Sequence, residues 1–417
     1  MAGAALMPWP VLAQAVAANE ANVDMFTRTR NVSVQSRPRP DYEAIGARFG
    51  SFYLYPRVEV QAELNDNIYA NQTEVDDTIW HLRPEVVAES DWSNHFVTAY
   101  ARGAIKRFTD HESENSEEVF LGGSGRIDAT RRTKLGFGAD YADSVEPRTS
   151  PSAPDNSREP VNFEAAQAFA SASHTGGRLR LSARGDWREL NYQDGRTGAG
   201  APIDQDFRDR AVTSLTGRVD YAVSPDTAFF LQATVNSRDY EVDTIAQPGR
   251  DSTGSEVVAG ASFELGASSR GELAVGYIEQ DFDNPTYNDF SGFGARAQLE
   301  WFVSELTTVT AAAGRTVEDA ANPGVGGFLS TNGNMRIDHE LLRNVVLSGQ
   351  LIYGRDEYED IDREDRRTGA ILGATYFLNR NLGLNLSAST LDTSSSGANA
   401  DIDYRVNKVA LALVAQF

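Results

Sequence analysis

The chain ends in a segment with two unlike faces. From Arg405 to Phe417, one parity carries Val409, Leu411, Leu413, Ala415 and Phe417. The other carries Lys408, Ala410, Ala412, Val414 and Gln416, which are smaller or more polar. Strict period-two alternation specifies a β-strand with one apolar face. Such a strand can edge a soluble sandwich, or it can close a barrel that sits in lipid. The rest of the chain has to choose between them.

From Gly50 onward the same pattern repeats. Alternating segments are joined in turn by a short polar turn and a long polar loop. The short turns fall near 93–94, 131–132, 175–177, 225–226, 268–269, 305, 343–344 and 379–380. Several are dipeptides suited to tight hairpins. The long loops fall near 68–77, 110–118, 144–160, 192–208, 241–255, 281–291, 318–327, 357–366 and 392–402. A soluble sandwich has no reason to sort its loops by length, whereas a bilayer-spanning barrel keeps short turns on one rim and long loops on the other. These connections predict eighteen antiparallel strands in one up-and-down transmembrane barrel over residues 49–417. Segments 161–172 and 330–341 alternate poorly and are placed by spacing alone.

No apolar run beyond the extreme N-terminus is long enough for a spanning helix, but a spanning strand needs only about ten alternating residues. The apolar parity is light, with aromatics near segment ends, as in Leu179, Leu181, Ala183, Gly185 and Trp187. Lipid tolerates such a face, and end aromatics fit interfacial girdles. The opposite parity is charged. Its basic members are Arg57, Arg83, Arg102, Lys106, Arg126, Lys134, Arg178, Arg180, Arg184, Arg218, Arg238 and Arg296. Acids such as Glu59, Glu85, Asp186 and Asp220 share it, so facing strands can pair these groups into ladders. Tyr53, Tyr55, Tyr100, Phe108, Phe120, Phe230 and Phe302 also fall there, either as a track for a polar chain or as gap-fillers.

The 60 acidic and 38 basic residues give a formal charge of −22, which repels phosphate and argues against a nucleic-acid partner. There is no cysteine. The five histidines (His81, His95, His111, His174 and His339) show no spacing that an acid–base pair requires, so no catalytic residues, and hence no enzyme, are expected. The acidic stretches 110–118 and 356–362 lack a calcium-loop pattern. They read as a solvated negative rim facing lipopolysaccharide, with no metal or cofactor expected. Residues 2–18 are uncharged and contain small-x-small cleavage patterns, which predicts a signal peptide over 1–18. Residues 19–48 read as a polar periplasmic arm, with Arg28–Asp41 available for docking.

At residues 37–95 the text becomes specific. "RPRPDYEAIGARFGSFYLYPRVEV", "LNDNIYA", "LRPEV" and "SDWSNH" resemble the start of the family known as Putative beta-barrel porin 2. The terminal strand resembles that of Gram-negative outer-membrane barrels, which implies that Val409, Leu411, Leu413 and Phe417 form an insertion signal read by the barrel assembly machinery. The family resemblance implies a porin-like barrel in the cell outer membrane. It also implies an association with exopolysaccharide export and periplasmic export proteins as partners. A general diffusion porin and a non-conducting barrel are the rival readings.

Overall fold

A computed structural model describes residues 31–154, 157–244, 247–320, 322 and 324–417. The expected signal peptide and the first part of the arm, through residue 30, lie outside the described residues. The barrel begins with β1 (Phe52–Asn65), β2 (Asp77–Ser90), β3 (Phe96–Phe108), β4 (Ser116–Asp128), β5 (Thr133–Val145) and β6 (Asn162–Gly176). It continues with β7 (Leu179–Tyr192), β8 (Arg210–Ser224), β9 (Thr227–Tyr240), β10 (Ser252–Leu265), β11 (Ser269–Phe282) and β12 (Phe290–Ser304). Then follow β13 (Thr307–Asp319), β14 (Gly327–Leu342), β15 (Val345–Tyr358), β16 (Glu364–Phe377), β17 (Leu382–Ser396) and β18 (Tyr404–Gln416).

Each strand pairs antiparallel with the next. The last closes on the first, from Arg57 opposite Gln416 to Asn65 opposite Lys408. The eighteen strands therefore form a closed barrel, as the loop count predicts. A short strand, Ala47–Phe49, folds back onto the start of β1. Connections on one rim have two to five residues, and those on the other have five to seventeen. Both ends of the barrel sit on the short-turn rim, where the Phe417 N–H donates to the Pro56 carbonyl (3.1 Å). Gly177, at φ +61°, makes the two-residue turn between β6 and β7, a backbone that side chains with a Cβ disfavour.

Strands run further toward the long-loop rim than expected. Ser116–Glu118, Ser252–Ser255 and Asp392–Ser396 continue the ladder instead of ending it. Their side chains are polar, but ladder hydrogen bonds do not need an apolar face, so pairing persists beyond the apolar band. The poorly alternating segments are regular strands too. Register on both sides fixes β6 and β14.

The apolar parity points outward. Leu411, at 54% exposure, is typical, and Val409, Leu413 and Phe417 share its face. Outward aromatics form two belts: Trp80, Tyr141, Trp187, Tyr277, Phe293 and Tyr353 toward the long loops, and Tyr221, Phe229, Trp301 and Tyr376 toward the short turns. On β12 the eight-residue step from Phe293 to Trp301 spans roughly 20 Å along the barrel axis at ordinary rise and tilt. Buried apolar clusters gather near the long-loop rim. One joins Phe282, Tyr287, Phe290 and Val317, and another joins Ala320, Val325, Phe328 and Tyr358.

β12 and β13 pair only from Arg296 opposite Gly314 downward. Above that row β13 leaves β12, and the upper end of the β13–β14 hairpin meets Arg210 and Arg238 through Asp319, Arg250 through Ala320, and Phe282, Tyr287 and Phe290 through Val317.

Candidate functional site: the charged inner wall

Alternation turns the polar parity of every strand inward, so the inner wall is a charged surface. On β1 and β2 it forms a connected ladder. Arg102 Nε donates to Glu85 (2.6 Å), and Arg57 lies 3.6 Å from the same carboxylate. Arg57 also pairs with Glu59 (2.8 Å), which accepts from Arg83 (2.6 Å). Arg83 donates to Gln61 (2.7 Å) and to His81 Nδ1 (3.1 Å). His81 Nε2 stands 3.3 Å from Glu63, which meets Lys408 of β18 at 3.4 Å. The β1 members occur at every second residue, so the ladder runs along the strand, from the short-turn half toward the long loops. Its guanidinium groups stay accessible: the Arg102 side chain is 39% exposed. Arg57, Arg83 and Arg102 face two carboxylates here, so positive charge is left over.

The wall from β7 to β13 is different. Arg180 pairs with Asp220 (3.1 Å), which also accepts from Arg218 (2.9 Å). Arg218 completes a two-pronged pair with Glu272 (3.0 and 2.8 Å) and stacks 3.7 Å over Phe230. Asp220 is wholly buried, and the Arg218 side chain is only 9% exposed. Higher up, Arg210 and Arg238 converge on Asp319 of the β13–β14 hairpin (2.8 and 2.6 Å). These charges are consumed by structure.

Loops cover the upper mouth. The β5–β6 loop reaches the opposite wall, where Tyr404 Oη donates to the Thr149 carbonyl (3.3 Å). Between that loop, Tyr69 and the Arg363–Arg367 stretch lies a cavity of about 260 Å³. Arg208 of the β7–β8 loop makes a double contact with Glu146 (2.9 and 2.8 Å), tying the two longest loops together. Arg250 donates to the carbonyls of Phe207 (2.7 Å) and Ala320. In the same region burial, with repulsion from Asp206 and Glu241, pushes the Asp209 carboxyl up to about 6.

Of the residues singled out above, Arg57, Arg83, Arg102, Lys106, Arg126, Lys134, Arg180, Arg184, Arg218, Arg238 and Arg296 stand on the inward parity, with Tyr55 and Tyr100. Arg178 does not. It is an exposed turn residue, because β7 begins at Leu179 after the Gly177 turn. Of Arg178, Arg180 and Arg184 only the last two therefore face inward, and both are taken: Arg180 belongs to Asp220, and Arg184 to Asp186 (2.7 Å).

The inward aromatics are not a bare track. Tyr100 donates to Asp140 (2.6 Å) beneath Arg102, and Phe120 and Phe230 are buried. The acidic stretches are not simply solvated either. Glu118 pairs with Lys106 (2.6 Å), and Asp356 with Arg367. His111 Nδ1 meets Asp77 (2.9 Å), but that carboxylate also caps the amides of Thr78, Thr109, Asp110 and His111, which makes it an organiser of the loop. The carboxylates of Asp194, Asp204 and Asp206 are grouped on the β7–β8 loop. Those of Asp194 and Asp204 already accept the amides of Gln205 and Asp206. Sequence reasoning did not find Glu146, Arg208 and Arg250, because their partners lie in other loops and leave no local signal.

A closed eighteen-strand barrel with an apolar outer band, aromatic belts and a charged interior is a porin-like outer-membrane barrel. The sequence pattern of the family Putative beta-barrel porin 2 matches residues 39–417, and the chain belongs to that family. No curated protein matches the chain. Among solved structures it is similar to OpdK of Pseudomonas aeruginosa (10% identity, 87% of this chain and 99% of that one, TM-score 0.44). It is also similar to OpdL of the same organism (13%, 88% and 99%, 0.45) and to its siderophore receptor PirA (9%, 92% and 81%, 0.46).

Proposed function

We propose that this barrel passes a polar solute along the β1–β3 wall, with an extracellular polysaccharide in an export system as the preferred cargo. The observation that carries the reading is the accessible patch Arg102–Glu85–Arg57 and Glu59–Arg83, two adjacent rows that cross β3, β2 and β1 on the lumen side. Paired guanidinium and carboxylate groups offer donors and acceptors in alternation. A hydroxyl-rich chain can exchange such contacts step by step without meeting one dominant charge. The barrel holds no energy source, so export requires periplasmic and inner-membrane partners to drive it. The stacked guanidinium groups cover several inward rings, so hydrogen bonding rather than ring sliding guides the cargo.

A deletion strain tests this reading. Loss of surface polysaccharide with unchanged uptake of small hydrophilic solutes supports export. Normal polysaccharide with reduced solute uptake supports a general diffusion porin. The loop roof held by Arg208 and Glu146 favours the third reading, a non-conducting barrel. That reading requires zero conductance of purified, folded protein in planar bilayers.

A further inference from the structure

The segment from Asn31 to Gly46 is seated against the barrel's own inner wall at the short-turn rim. The Asn31 side chain donates to the Ala267 carbonyl in the β10–β11 turn. Val34 is 0% exposed, and its N–H donates to Thr308 Oγ1 of β13 (3.1 Å). Arg37 and Arg39 both reach one carboxylate, Glu340 of β14 (3.0 and 3.4 Å), which is itself buried. Arg37 also donates to the Glu305 carbonyl. Tyr42 and the Arg39 guanidinium share the Phe377 ring (6.0 and 5.5 Å). Arg380 donates to the Pro40 carbonyl (3.0 Å), and Gln416 to that of Tyr42 (3.1 Å). Gly46 lies so close to Tyr55 that a Cβ would stand 2.6 Å from its ring. One segment thus follows the rim from the β10–β11 turn to β18 and β1.

The contacts differ in kind from those of a barrel strand. Before Ala47 the segment adds no rung to the sheet. Pro38 and Pro40 fix φ and remove two donors, and Pro40 sits in the turn that the Tyr42 N–H closes on the Arg39 carbonyl (2.8 Å). Leaving the wall would therefore break side-chain contacts and isolated hydrogen bonds but no ladder. The main electrostatic hold is a single carboxylate shared by two guanidinium groups.

We propose that residues 31–46 are a displaceable stopper that narrows the periplasmic mouth and is latched by Glu340. The inference rests on the channel reading above. Displacement widens the mouth and withdraws the charges of Arg37 and Arg39, leaving Glu340 uncovered on the wall. The open state therefore conducts more and favours cations more.

The test uses full-length wild type, Glu340→Gln, and Val34→Cys with Thr308→Cys, each first shown to keep the heat-modifiable mobility of a folded barrel. In planar bilayers, wild type should show two conductance levels. Glu340→Gln should raise occupancy of the upper level about tenfold or more, the scale of one lost charge-assisted hydrogen bond. Oxidation of the double-cysteine protein should abolish the upper level, and reductant should restore it. A single shared level in all three proteins, or an upper level that survives oxidation, overturns the stopper. Labelling of a Val34→Cys protein by a maleimide in detergent provides a readout that needs no current. Glu340→Gln should speed it about tenfold. Zero conductance with faster labelling would sink the channel reading and keep the displaceable segment, whereas equal labelling would sink the stopper.

Discussion

The two sides of this lumen carry similar residue types and use them in opposite ways. On β1–β3, Arg57, Arg83 and Arg102 share two carboxylates and remain open to solvent. On β7–β11, Arg180 and Arg218 are buried around Asp220, and Glu272 takes the rest of Arg218. What separates the walls is how each guanidinium is shielded. Arg218 is stacked on Phe230 and clamped between Asp220 and Glu272, which leaves its side chain 9% exposed. Those of Arg57, Arg83 and Arg102 are 29–39% exposed. Charge on an inner strand face is thus not a functional signal by itself. Its exposure in the folded barrel decides whether a solute can meet it.

The largest expected effect is on the buried wall. Asp220→Ala leaves Arg180 and Arg218 buried without their shared acceptor, a change that costs about 3–5 kcal/mol. The measurement is the denaturant midpoint of the heat-modifiable barrel. Glu59→Gln, on the open wall, should shift it by less than about 1 kcal/mol. Equal losses in both variants would erase the distinction between the walls.

Slightly smaller is the penalty for crossing from the inner to the outer face. Leu411→Arg puts a charge against lipid at a cost of about 2–4 kcal/mol and should reduce outer-membrane assembly, as should deletion of Phe417. Lys408→Gln, on the inward and more open parity of the same strand, should assemble normally. Normal assembly of the Leu411 variant would contradict the outward assignment of that parity.

Much of this architecture is legible in the sequence because it is local. Period two fixes which face is inside, and turn residues mark every connection, so the strand count and the loop sorting follow. The fate of each charge is not local. Arg208 meets Glu146 and Arg37 meets Glu340 across hundreds or tens of residues, through loop and arm placement that no spacing announces. Arg178 was misplaced for a smaller reason: parity was carried one residue past the Gly177 turn. The segment expected as a free docking arm is instead held to the wall over residues 31–46, because its arginines find a buried carboxylate there.

A milder effect concerns pH at the loop roof. Burial, then the acids Asp206 and Glu241, raise the Asp209 carboxyl to about 6, above its usual range near 4. A raised acid favours its protonated form in the folded loop. The stabilisation is therefore full below about pH 4 and is lost as pH rises through 6. Proteolysis within residues 193–209 should be slower at pH 5 than at pH 7.5, after correction for protease activity. Asp209→Asn should remove that difference, and an unchanged difference would assign it to another group.

The most direct test of the two-wall account is ion selectivity of folded protein in planar bilayers under a salt gradient. One variant carries Gln at Arg57, Arg83 and Arg102, and the other carries Gln at Arg180 and Arg184. The first should move the reversal potential clearly toward cation selectivity, because accessible positive charge is lost. The second should move it little per charge removed, because those groups are buried and paired. Equal shifts per charge, or a larger shift from the β7 pair, would contradict the claim that Arg57, Arg83 and Arg102 meet the permeating solute more readily than Arg180 and Arg184 do.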